Sequence, residues 1–300
     1  MKKAFLLLAG AAACVSPAAA RAPVELAPLT PWNLHYADNS CQLARTFGDA
    51  ANPTTLVFNR LLPTSDMTLM VFGGGLRARQ GSGEAKASFL PFPEHEFVTL
   101  GVAETVDKRV PAIMWTGINL LPGYQHSEYK PGVRTPRNPA EVEALRALEA
   151  GTAGKVTALQ VREPSGRRLV LKTGSLGRAL ALMRDCGKEQ LARWGFDPAV
   201  TERILYPARS QRSLADLFDS SDYPRKALFF GNEAIVSARL HVGTDGKVTR
   251  CVSLTPYKEP AFGEVVCRNL SKAAFDPAEL ADGTRVPDVV VANILFRMEQ

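Results

Sequence analysis

What this 300-residue chain has little of narrows its class before any motif is read. After Val15 no apolar run approaches the roughly 20 residues that a bilayer-spanning helix needs. Histidine is scarce, and His35, His95, His126 and His241 are scattered, with none at metal-ligand spacing from another. No two cysteines show the short spacing of a zinc site. Glu94-His95-Glu96 gathers three ligand types, yet neighbours on a strand point to opposite faces, so it reads as an exposed turn. No paired-carboxylate motif stands out. Gly73-Gly74-Gly75 lacks the lysine and Ser/Thr of a phosphate loop and reads as a bend at a strand end. Thr173-Gly174-Ser175-Leu176-Gly177 lacks the glycine that a nucleophile turn places two residues before its serine, which leaves Ser175 the role of a helix N-cap. No catalytic residue, metal or cofactor is expected.

Charge of one sign is scarce as well. The formal net charge is +6, and without Lys2 and Lys3 the surplus falls to four, a balance that reads as solubility rather than nucleic-acid binding. Those two lysines open a charged, apolar and small-residue order: Lys2-Lys3, an apolar run from Ala4 to Val15, then Pro17 and Ala18-Ala19-Ala20. It reads as a secretory signal over residues 1–20 cleaved after Ala20. The alternatives are lipidation at Cys14 and an uncleaved N-terminal anchor. Cleavage predicts an exported, periplasmic chain with no integral membrane span.

Four cysteines follow the signal: Cys41, Cys186, Cys251 and Cys267. An even number in an oxidising compartment implies two disulfides, with three pairings open. Cys251 follows a hairpin turn and Cys267 lies on the next helix, so these two are expected to bridge, leaving Cys41 with Cys186. The first bridge closes a loop of about 16 residues, worth roughly 3 kcal/mol by chain entropy.

The fold class expected is α+β, with a β-rich N-terminal domain over residues 32–197 that carries two helices. Residues 21–31 read as an extended lead-in. Strands are expected at Thr55–Leu61, Met67–Phe72, Ala87–Leu90, Glu96–Gly101, Ala112–Asn119, Lys155–Arg162 and Arg168–Thr173, with a turn at Pro63, Ser65 and Asp66. Asn138 as N-cap, Pro139 in the first turn and Gly151 as a stop bound one helix whose Val142, Leu145 and Leu148 should face a core. A second starts after Ser175 and carries Cys186 in its last turn, with Gly187 as its stop. Residues 198–221 show no period and read as a linker, with a short helix near Leu214 to Phe218.

Residues 222–300 are the most patterned part. Ala234, Val236, Ala238, Leu240 and Val242 alternate with Ser237, Arg239 and His241 on a mixed face. Asp245-Gly246 supplies a tight hairpin turn, and Val248, Arg250 and Val252 continue on the return strand. Val290, Ala292, Ile294, Phe296 and Met298 alternate with Val291, Asn293, Leu295 and Arg297. The order Tyr223-Pro224, Ala227, Gly231, Asp245-Gly246, Phe275-Asp276-Pro277-Ala278, Gly283 and Val286-Pro287 resembles the C-terminal domain of the TonB family, over about residues 222–298.

That resemblance implies a three-stranded antiparallel sheet with two helices. It also implies binding of an extended receptor segment at the sheet edge, as in the energy transducers of TonB-dependent transmembrane transport. The final run is the expected edge, with Val289, Val291, Asn293, Leu295 and Arg297 as partner-binding residues; the alternative is a last core strand whose edge the upstream domain blocks. The partner implied is an outer-membrane receptor or another periplasmic protein. The sequence departs from the transducers in lacking their uncleaved membrane helix and long proline-rich spacer. The alternative is a cell-envelope scaffold protein whose module serves homodimerisation only.

Overall fold

The computed structural model describes residues 22–62, 67–79, 83–93, 98–104, 110–121, 130, 132–254 and 260–298. The expected signal with Cys14, the Pro63-Ser65-Asp66 turn, Glu94-His95-Glu96 and His126 lie outside the described residues. The architecture is mixed α+β and mostly strand.

The first half runs β1 (Val24–Leu26), β2 (Asn33–Tyr36), β3 (Cys41–Asp49), β4 (Asn52–Arg60), β5 (Met67–Gly73), β6 (Lys86–Leu90), β7 (Val98–Glu104), β8 (Pro111–Ile118), α1 (Pro139–Lys155), β9 (Ala158–Arg162), β10 (Arg168–Leu171) and α2 (Gly177–Arg193). Alternation at period two decides the strands: in β4 Thr54, Leu56, Phe58 and Arg60 are buried, and in β5 Met67, Leu69 and Val71. Six strands form an antiparallel sheet in the order β2-β3-β4-β5-β8-β7, and four form a second in the order β1-β10-β9-β6, with β1 parallel to β10. Phe47, Phe58 and Trp115 of the first sheet, Phe89, Leu159 and Leu169 of the second, and Leu180 and Met183 of α2 share one core. Trp115 Nε1–H donates to the Ala85 carbonyl at 2.9 Å, and the Cys41–Cys186 disulfide ties β3 to α2 across a Cα separation of 6.1 Å.

Three expectations for this half are corrected. The lead-in expected over 21–31 is extended at β1 but is part of the fold rather than a segment ahead of it: β1 pairs with β10 and Pro28 bridges to Phe47. The first helix continues past Gly151 to Lys155, and it buries the small Thr152 and Ala153 while Leu148 stays 51 % exposed. The second helix passes Gly187 to end at Arg193, and its cap residue is Leu176, with the Ser175 hydroxyl accepting from the Gly177 N–H.

The second half runs α3 (Pro198–Glu202), β11 (Ile204–Tyr206), β12 (Arg209–Ser210), α4 (Arg225–Phe229), β13 (Ala234–Val242), β14 (Val248–Ser253), α5 (Ala261–Leu270), β15 (Phe275–Asp276), β16 (Ala278–Leu280), β17 (Arg285–Val286) and β18 (Asp288–Phe296). Residues 198–221 are therefore structured rather than a linker: β11 pairs with β16 and β12 with β15. The largest sheet here is three-stranded and antiparallel in the order β14-β13-β18. Phe262, Val265, Val266 and Leu270 of α5 pack on Val236, Leu240 and Phe296, and Cys251–Cys267 pins β14 to α5. At the hairpin turn Gly246 has φ +78°, and a Cβ there would collide with the Phe275 carbonyl, so the turn admits only glycine.

Candidate binding edge of the last strand

β18 owes its place to nine residues that pair with β13 without a slip, from Asp288 opposite Val242 to Phe296 opposite Ala234. Val290, Ala292, Ile294 and Phe296 turn to the α5 side, where they join that core. Val289, Val291, Asn293 and Leu295 turn to the opposite face. No described strand pairs with the outer side of β18, which makes it an edge.

Successive residues of an antiparallel strand aim their N–H and C=O groups alternately at the two neighbours. The Val289 N–H goes to its own neighbour, the Asp288 carboxylate, at 2.8 Å. That puts Val289, and with it Val291, Asn293 and Leu295, in the set whose main-chain groups face away from β13.

The two ends of the edge differ. At the first, Val289 is 8 % exposed and packs with Leu62, Leu191 and Phe196 of the N-terminal unit, and Val291 and Trp194 lie against the same cluster. Two of the residues expected to bind a partner, Val289 and Val291, are thus covered on this face by the upstream domain. At the second, Asn293 is exposed, its Oδ1 accepts from the Ser237 hydroxyl at 2.6 Å, and Leu295 is 54 % exposed. Arg297 is exposed but sits one residue beyond the strand, so it flanks the edge rather than belonging to it.

Burial tunes the covered end. The Arg239 guanidinium lies 3.7 Å from the centre of the Trp194 ring, and desolvation, helped by Arg250, brings its pKa down to about 10. His241, expected on an open polar face, is instead buried edge-on to Phe196 with ring centres 4.9 Å apart. Desolvation first, then Arg239 and Arg250, push its pKa down to about 4, so it is neutral at pH 7. His241 Nε2 and Arg239 Nε and Nη1 are buried with no hydrogen-bond partner. Asp288 is pushed up by burial, opposed by the Ala208 and Val289 N–H groups and by the charge of Arg137.

Comparison with known proteins adds no identity to this edge. No family model matches the chain, and no curated protein matches it.

Other features of the chain offer less. A cleft of about 270 Å³ between α1, α2 and α3 is lined by charged side chains that neutralise one another: Arg146 meets Glu202 at 3.4 Å and Lys188 meets it at 2.9 Å. In the triple glycine the Gly74 N–H goes to the Pro53 carbonyl and the Gly75 N–H to the Thr54 hydroxyl, so both serve the bend. Among the described residues no group of three or more His, Cys, Asp or Glu side chains could hold a metal ion. No described helix is long and apolar enough to cross a membrane.

Asp288, Arg239, Trp194 and Phe196 were not legible as members of this site. The one sequence signal was the Trp194-Gly195-Phe196 triplet, two large aromatics at a helix end.

Proposed function

We propose that this chain is an exported TonB-like protein of the periplasm that binds its partner by β-strand addition to the outer side of β18. The partner's extended segment, from an outer-membrane receptor of TonB-dependent transport or from another envelope protein, pairs with the main-chain groups of Asn293 and Leu295. The single observation that carries this reading is the long unpaired edge: an edge strand offers a row of main-chain donors and acceptors to any extended guest. The order of residues shared with the TonB C-terminal domain supports the receptor as the source of that guest. The covered first end confines the guest to the second, from Asn293 to Phe296.

An extended receptor plug peptide, titrated into isotopically labelled protein, is expected to shift the amide signals of Asn293 to Phe296. Asn293→Pro should abolish the binding while the fold survives, because the lost N–H faces away from β13 and proline is tolerated at such edge positions. Ile294→Pro, which removes a bond to β13 itself, should unfold the module. Peptide shifts confined to other elements would sink the proposal. A homodimer that Asn293→Pro converts to monomer would instead assign the edge to a second copy, as in a scaffold protein.

A further inference from the structure

The end of α4 holds three consecutive large apolar side chains out of the fold. Leu228 is 51 %, Phe229 83 % and Phe230 63 % exposed, and the two phenylalanines are the most exposed large apolar groups among the described side chains. Isolated exposed apolar residues need no explanation, whereas a contiguous set does.

The segment is held firmly in this display. The Phe230 N–H donates to the Lys226 carbonyl at 3.1 Å, the Gly231 N–H to Leu228 at 3.2 Å, and the Asn232 N–H to Ala227 at 2.8 Å. The Tyr223 hydroxyl donates to the Asn232 carbonyl at 2.8 Å, and Ala227, with no exposure, anchors the turn in the core. The two phenylalanine rings meet edge to face with centres 5.1 Å apart. A pre-ordered display loses little entropy when it docks.

Two observations select what it docks on. Both rings are exposed over most of their surface, so they suit a soft medium that closes around them better than a rigid pocket. The rim is cationic: Arg225 and Lys226 are exposed in the same helical turn. Arg297 is exposed beside Met298, whose methyl lies 3.5 Å from where a Cβ on Gly231 would stand. Of the neighbouring acidic residues, Asp222 pairs with Arg268 at 3.2 Å and Glu233 accepts the Met298 N–H at 2.9 Å. Apolar residues that enter the acyl boundary, flanked by cations that meet phosphates, are the pattern of a peripheral membrane anchor.

We propose that Leu228, Phe229 and Phe230 form a membrane-surface anchor that inserts into the head-group region of an anionic phospholipid bilayer, with Arg225, Lys226 and Arg297 against the lipid phosphates. This goes beyond strand addition at β18 and uses different side chains, so either can fail alone.

The full chain with its disulfides formed, mixed with vesicles of phosphatidylglycerol and phosphatidylethanolamine, is expected to co-sediment with them, less so as salt rises. It should bind phosphatidylcholine vesicles weakly. The double variant Phe229→Ser/Phe230→Ser should lose at least about tenfold in affinity. Arg225→Gln and Lys226→Gln should each lose about fivefold. Near-ultraviolet circular dichroism and retained peptide binding at β18 establish that the variants are folded. No binding to anionic vesicles, equal binding to both vesicle types, or binding indifferent to the phenylalanine variant would each overturn the proposal. So would a wild-type dimer that this variant dissolves, because the rings would then belong to a self-interface.

Discussion

From Asp288 to Val291 the last strand is enclosed by its own chain, and from Asn293 to Phe296 its outer side and one face meet solvent. Both halves share one neighbour, β13, in one uninterrupted register. Both show the same alternation of apolar residues. What differs is the element opposite. Phe196 and Leu191 close over the first half, and the polar groups caught beneath them, Arg239 and His241, go without hydrogen-bond partners. Over the second half none of the described elements closes, and the Ser237 hydroxyl donates to Asn293 instead. Covering an edge against its own chain strands polar groups, and leaving it open keeps them paired but invites a guest strand.

The largest effect that could break this comparison is loss of the closing aromatic. Phe196→Ala empties a buried site shared by the two units and is expected to cost about 3 kcal/mol in urea denaturation. Leu295→Ala at the open end should change stability by no more than about 0.5 kcal/mol. Equal costs at the two positions would show that the halves do not differ in the way described.

A smaller effect is expected at the start of the strand. The Asp288 carboxylate accepts the Ala208 N–H at 2.9 Å and the Val289 N–H at 2.8 Å, and it lies near Arg137. Asp288→Ala leaves two amides without that acceptor but also removes a buried carboxylate. The net cost expected is about 2 kcal/mol, with faster hydrogen exchange at Ala208 and Val289. Exchange that stays slow at both amides would mean that the carboxylate does not hold this end.

The sequence carried β4 and β5, which are long enough to display a period of two, but not β3, where no strand was expected over Cys41–Asp49. The Cys251–Cys267 pairing followed from placing both in one small domain, Cys41–Cys186 was the pair that remained, and both are present. It failed on short pieces. β11 and β12 span three and two residues, too few for any period, and they exist only because β16 and β15 pair with them from far along the chain. Glycine misled for a different reason. Gly151 and Gly187 read as stops, yet both lie inside helices. Where helical glycine does have a task it is packing: a Cβ on Gly177 would stand 3.4 Å from the Gly154 Cα, a close approach of α1 and α2. At the site, alternation assigned His241 to the correct face of β13. Nothing local to β13 could say that Phe196 covers that face, since the information lies some forty residues upstream.

The smallest effect tests the enclosed end through acidity. His241 faces Arg239 on its own strand, Arg250 on β14 and the Phe196 ring from the N-terminal unit, and no carboxylate figures among the charges acting on it. Its pKa is held at about 4 instead of 6.5, so the closed junction resists a proton that the unfolded chain accepts. Above pH 6.5 both states are neutral there and His241 adds no slope. As the pH falls from 6.5 towards 4 the unfolded chain takes up the proton first, and stability drops on the order of 1–2 kcal/mol. Asp288 acts with the opposite sign, since its raised pKa lets the folded state take a proton first as acid is added. The difference between the wild type and His241→Gln therefore isolates the histidine. Urea midpoints at pH 7 and pH 5 should separate more in the wild type than in the variant. An identical shift in both would mean that the imidazole is not sealed beneath Phe196, and that the first half of the strand is as open as the second.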